Sequence, residues 1–147
     1  MSTQPVLVPL DEALLPQIAE IERECFLEPW SENSLRMLLP ERGYGAAVLK
    51  DGKAVSYGGM LFALDEAQIT DIATLPAFRR MGYAKQILTN LISVAGEKKM
   101  KTLSMEVRAS NEPALNLYRS FGFFPVGQRK NFYRFPREDA VLLLLKL

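Results

Sequence analysis

Histidine is absent from all 147 residues of the chain. That single absence removes His-based catalytic triads, HExxH zinc sites and imidazole general bases. Cysteine is nearly absent as well. The lone Cys25 excludes an internal disulfide and a CxxC metal knuckle, so no metal site is expected. Charge of one sign is not in excess either: 18 Lys and Arg face 17 Asp and Glu, a net +1. Nucleic-acid-binding domains carry a basic surplus, so no direct nucleic-acid partner is expected. Long hydrophobic runs are also missing. The longest, Ala140 to Leu145, is far short of the ~20 residues a bilayer requires, and reads as a strand buried on both faces. The start, Met1 to Pro5, lacks a basic stretch followed by an apolar one. These absences together lead us to expect a cytoplasmic chain with no membrane partner and with Cys25 as a reduced, inert core thiol. Proton transfer in such a chain falls to Glu, Asp, Tyr, Lys or water.

What is present is the composition of an ordinary globular protein, 48% hydrophobic and 24% charged. At roughly 150 residues per domain, residues 1–147 are expected to form one domain. Val6 to Val8 reads as an opening strand, and Ile18, Ile21, Glu22 and Cys25 follow a helical rhythm that ends before Pro29. Ser31 has the chemistry of an N-cap for a helix reaching Leu39, with Pro40 as its stop. Gly45–Lys50 and Ala54–Leu64 read as strands joined across Asp51-Gly52, a hairpin signal. Another strand runs from Gln68 to Thr74. Ala84, Ile87, Leu88, Leu91, Ile92 and Ala95 then recur at three- and four-residue steps, predicting an amphipathic helix from Tyr83 to Lys99. Thr102 to Val107 alternates as a strand does. Pro113 suits the first turn of a helix that Gly122 closes, and strands near Pro125–Gln128 and Asp139–Leu147 finish the chain. The expected fold is α/β, or more strictly α+β: a mixed, mostly antiparallel sheet of about six or seven strands with helices on both faces.

The segment from Ile72 to Ala84 leads from a strand into the start of the long helix. A helix N-terminus presents unpaired N–H groups and attracts phosphate. Gly82 lets the backbone approach an anion, Ala84 leaves the first turn uncrowded, and Arg79 and Arg80 supply charge. On spacing alone, two solvated arginines before a helix-starting glycine fit equally well. Glu106 presents a similar choice. In the alternation of Leu103, Met105 and Val107 it points away from the apolar face, as an ordinary surface carboxylate would. Tyr118 sits at helical spacing from Leu115 and Phe121, which suits core packing. Asn111 suits a cap of the Pro113 helix.

Arg79-x-x-Gly82-x-Ala84, after a strand ending Ile72-Ala73-Thr74, resembles the acetyl-CoA motif of the GNAT superfamily of N-acetyltransferases. The resemblance continues through Leu103-Ser104-Met105-Glu106-Val107-Arg108-Ala109-Ser110-Asn111 and Ala114 to Phe123. It extends upstream to Glu28-Pro29-Trp30-Ser31, and downstream to Arg129–Tyr133 and Glu138-Asp139-Ala140. In this order the motifs resemble the RimI type, the bacterial ribosomal-protein alanine N-acetyltransferases. Leu75 and Met105 depart from the residues usual at their positions, and neither is a proposed catalytic group.

The resemblance implies a GNAT-like domain in which acetyl-CoA is the co-substrate. Backbone groups of Ile72, Ala73 and Thr74 would meet its pantetheine arm. Arg79, Arg80, Met81, Gly82, Tyr83 and Ala84 would hold its pyrophosphate, and Asn111 would also hydrogen-bond it. Glu106 would take a proton from the incoming amine, and Tyr118 would give one to the departing sulfur. The implied acceptor is the N-terminal segment of a ribosomal protein. An α-amine, with pKa near 8, is far easier to deprotonate than a lysine near 10.4, so one carboxylate base suffices. Another protein N-terminus, a small-molecule amine, or acetyl-CoA binding without catalysis remain as alternatives.

Overall fold

The computed structural model describes residues 4–147. Among the described residues, seven strands form one sheet in the order β1-β2-β3-β4-β5-β7-β6. They are β1 (Val6–Pro9), β2 (Gly43–Lys50), β3 (Lys53–Ala63), β4 (Glu66–Thr74), β5 (Thr102–Arg108), β6 (Phe124–Arg134) and β7 (Arg137–Lys146). Every neighbouring pair is antiparallel except β4 with β5. The β2–β3 hairpin turns at Asp51 and Gly52, both with positive φ (53° and 78°), as a two-residue turn matched to strand twist requires.

Among the described residues, four α-helices cover the sheet: α1 (Leu15–Cys25), α2 (Glu32–Leu35), α3 (Tyr83–Glu97) and α4 (Glu112–Ser120). Ser31 caps α2, its Oγ accepting the Ser34 N–H at 3.1 Å. The helix expected to reach Leu39 is shorter. It tightens into a 3₁₀ turn at Arg36–Leu38, and Leu39 is already extended. On one face, Ile87, Leu88 and Leu91 of α3 and Leu115 and Tyr118 of α4 pack with Ile69, Leu103, Met105 and Val107. On the other, Leu15, Ile18 and Ile21 of α1 pack with Leu35, Tyr57 and Ala73. Gly58 lets α3 approach β3, since a Cβ there would stand 2.5 Å from Ile87 Cγ2.

Two irregularities open the sheet. First, β4 and β5 pair only at Glu66↔Thr102, Ala67↔Leu103 and Gln68↔Ser104. Second, β4 bulges at Thr70: Ile69 pairs with Met60 and Asp71 with Gly59, leaving Thr70 outside the register, its hydroxyl donating to the Gly59 carbonyl at 3.2 Å. A bulge adds a residue, bends the strand and shifts its alternation. Ala67 and Ile69 therefore face α3, whereas Ala73, also odd-numbered, faces α1.

The structure corrects two expectations at the C-terminal end. The strand placed near Pro125–Gln128 is β6, running the full length from Phe124 to Arg134. The Ala140–Leu145 run is not buried on both faces: Ala140 and Leu143 are buried, while Val141, Leu142, Leu144 and Leu145 are half-buried. Leu142 and Leu144 lie opposite Glu106 and Ser104 and so share their face. That face is covered by α1 and α2 only over β2 to β4.

Candidate active site

Past Gln68, β4 and β5 part company and enclose a cavity of about 550 Å³. Its walls come from both strands, α4, the loop after α1 and the β6–β7 hairpin. Glu106 projects into it from the face of β5 opposite Leu103, Met105 and Val107, and its side chain is only 12% exposed. Gln68 Nε2 donates to its two carboxylate oxygens, at 3.3 and 3.1 Å. Arg129 Nε of β6 lies 3.4 Å from Oε1. Glu106 is thus no ordinary surface carboxylate.

Tyr118 packs in the core, as its helical spacing suggests, and also borders the cavity. Its ring is buried and packs edge-on against Phe123, with centroids 5.4 Å apart. Burial, followed by the nearby Asp71 carboxyl, pushes its hydroxyl well above the usual phenol range. Asn111 caps α4, its Oδ1 accepting the Ala114 N–H at 3.2 Å, and it stands in the cavity wall.

The loop between β4 and α3 lies beyond the cavity. Gly82 adopts φ 82° at the N-cap of α3, no side chain caps the helix, and a Cβ at Gly82 would meet nothing within 4 Å. The first turn of α3 is therefore free to offer its N–H groups to an anion, which suits a phosphate-bearing ligand. Arg80 and Met81 are exposed beside it. Arg79 folds back instead, donating from Nε to the Thr74 carbonyl at 3.1 Å. The side chain of Tyr83 is buried in the core, leaving its backbone for any ligand. Cys25 is half-buried at the end of α1 rather than enclosed in the core. Its thiol contacts the Thr74 carbonyl, and desolvation is the chief influence raising its pKa.

Further charged residues in and around the site were given no role from the sequence. Glu22 is fully buried in α1 and accepts the Trp30 N–H at 2.8 Å and the Tyr57 hydroxyl at 2.5 Å. The Asp71 carboxyl is influenced by the same Glu22 carboxyl; burial first, and Glu22 second, push Asp71 up to about 9. A glutamate among the apolar positions of α1 was the available clue, because unpaired carboxylates are not buried. Arg108 is committed to the hairpin: it donates to the carbonyls of Phe135 and Pro136, pairs with Glu138 and stacks on Tyr133. Hydrogen bonds from Ser110, then the Arg108 charge, hold the Glu138 carboxyl below the usual range. Among the described residues, no group of three or more His, Cys, Asp or Glu is placed to hold a metal. Nor does any described helix have the length and apolarity to cross a membrane.

The acetyltransferase (GNAT) family model matches residues 15–123. This chain belongs to that family. The [ribosomal protein bS18]-alanine N-acetyltransferase of Escherichia coli (strain K12) is 34% identical over 140 residues, covering 94% of this chain and 95% of that protein. The crystal structure of the ribosomal-protein-S18-alanine N-acetyltransferase from Escherichia coli superposes with a TM-score of 0.89 at 32% identity, covering 97% and 94% of the two chains. At 16% identity, Arabidopsis thaliana NAA60 in complex with acetyl-CoA shares the fold, with a TM-score of 0.88 over 98% of this chain and 99% of that one. The RimI-type motifs and the mostly antiparallel GNAT sheet expected from the sequence are thus both found. The chain is an N-acetyltransferase.

Proposed function

We propose that this enzyme transfers an acetyl group from acetyl-CoA to the α-amine of the alanine that begins ribosomal protein bS18. The observation that carries this reading is Glu106, a nearly enclosed carboxylate pinned by Gln68 where β4 and β5 separate. The relatives named for the same reaction supply the acceptor.

In this reading the free edge of β4 at Ile72, Ala73 and Thr74 meets the pantetheine arm. Backbone amides from Gly82 to Ala84, with Arg79, Arg80 and Met81 around them, hold the pyrophosphate. Asn111 serves as helix cap and ligand contact together. An amine arrives as its ammonium, which has no lone pair. Glu106 takes one proton, and the freed nitrogen attacks the acetyl carbon. As the carbon–sulfur bond breaks, Tyr118 gives its proton to the sulfur, and the nitrogen's second proton restores the phenol. Glu106 finally releases its proton to solvent, so the turnover yields amide, thiol and one proton. A thiol with pKa of roughly 8.5 is a good leaving group, so Tyr118 contributes less than Glu106. No histidine is present to activate Cys25, and direct attack needs no acetyl-enzyme.

The test incubates enzyme and acetyl-CoA with an N-terminal bS18 peptide, an equal peptide with a blocked N-terminus, and a small-amine panel. Mass spectrometry should find the acetyl group on the free α-amine in preference to lysine. Equal modification of the blocked peptide would reject the α-amine acceptor, and acetyl-CoA binding without turnover on any amine would reject catalysis.

A further inference from the structure

Glu106 does not stand alone in the cavity: its charge is already offset by Arg129 at 3.4 Å. The two partners are held very differently. The Glu106 side chain is 12% exposed and fixed by Gln68, whereas that of Arg129 is 55% exposed. Besides the ion pair, Arg129 has a cation–π contact, its guanidinium 5.7 Å from the centre of the Phe132 ring. Of the two arginines that line the cavity, Arg108 and Arg134, Arg108 is tied to two carbonyls, Glu138 and Tyr133 and is not free to exchange. The backbone near Arg129 is shaped for this placement. After Arg129 pairs with Ala140, β6 bulges until Tyr133 pairs with Glu138. Asn131 turns at φ 54°, with its N–H held by Asp139 at 2.9 Å.

An ammonium that reaches Glu106 meets a carboxylate whose cationic partner is in place. Two cations on one carboxylate repel each other, and the more exposed one gives way. We propose that Arg129 is a displaceable counter-ion of Glu106: the acceptor's ammonium pushes it aside, and it returns when the neutral amide leaves. The proposal rests on Glu106 as the group that receives the acceptor amine. It makes Arg129 a positioning residue that sets how strongly a free amine is favoured over its acetylated product.

The experiment measures affinities by calorimetry on CoA-loaded enzyme, comparing wild type, Arg129→Ala, Arg129→Lys, Glu106→Gln and the Glu106→Gln/Arg129→Ala double variant. Three probes are used: the bS18 N-terminal peptide, its N-acetylated form, and alaninamide, which carries an α-ammonium without a peptide sequence. Arg129→Ala should bind both free amines at least threefold more tightly and leave the acetylated peptide within twofold. Arg129→Lys should behave as wild type. With Glu106→Gln there is no charge to compete for, so adding Arg129→Ala should change nothing beyond twofold. Tightening of alaninamide without binding of the peptide would reject bS18 as acceptor while sustaining the counter-ion. Unchanged or weaker binding of both free amines in folded Arg129→Ala, or the same tightening without the Glu106 charge, would overturn the counter-ion.

Discussion

Gln68 on β4 donates its side-chain amide to both carboxylate oxygens of Glu106 on β5. Gln68 belongs to the last residue pair that joins the two strands, and Glu106 lies two residues beyond that pair. The point where the sheet opens is therefore also the point where the carboxylate is oriented. Opening the sheet without that bond would leave Glu106 held by the exposed Arg129 alone.

Replacing Glu106 with Gln keeps the shape and removes the base. A positioned general base contributes roughly 10²–10⁴-fold, so kcat/KM should fall by that much near neutral pH. The loss should shrink as pH rises, because more of the acceptor amine is then neutral without help. Tyr118→Phe should show a smaller deficit that raising the pH does not rescue. Both variants should bind acetyl-CoA within about threefold of wild type. The pH–rate profiles of the two folded variants decide the matter, and a wild-type rate for Glu106→Gln would place the base elsewhere.

Gln68→Ala removes two hydrogen bonds to a charged group and no reacting atom. Such bonds are worth roughly 1.5–3 kcal/mol, so kcat should drop about tenfold or somewhat more. The loss should remain smaller than that of Glu106→Gln. Steady-state kinetics with a saturating peptide reports it, and an unchanged kcat would mean that Glu106 needs no orienting partner.

Gly82→Asp should weaken acetyl-CoA binding at least tenfold. The left-handed φ of 82° is one that Asp tolerates better than most residues, and the space for a Cβ is open. The effect therefore comes from placing a negative charge where phosphate would sit at the N-terminus of α3. Calorimetry on the folded variant measures it. Undiminished affinity would remove this loop from the cofactor site.

Asp71 links pH to stability. Its folded pKa, about 9, lies above that of an unfolded carboxyl. The folded state thus holds a proton that the unfolded state releases, so this stabilisation is complete at acid pH and is lost as pH rises to about 9. Asp71→Asn keeps a donor toward Glu22 and cannot titrate. Its melting temperature should fall less than that of wild type between about pH 6 and pH 9 in thermal unfolding. Parallel curves would show that folding does not raise the pKa of Asp71.

The sequence by itself determined the elements and the chemistry permitted to them. Period-two alternation put Glu106 opposite Leu103, Met105 and Val107, and helical periodicity marked α3 from its first residue. The lack of histidine left carboxylates and phenols as proton carriers. Local patterns of this kind record which side of an element is apolar. What that side meets was decided only in three dimensions. The bulge at Thr70 turned Asp71 toward Glu22, and no run of residues announces an inserted one. Gln68 and Arg129 reached Glu106 across 38 and 23 positions of sequence, on strands that pattern alone could not order in the sheet. Half-burial of Leu142 and Leu144 had the same origin, because α1 and α2 do not extend over β5 and β7. Periodicity is a property of neighbours in the chain, whereas the cleft and its ion pair are properties of neighbours in space.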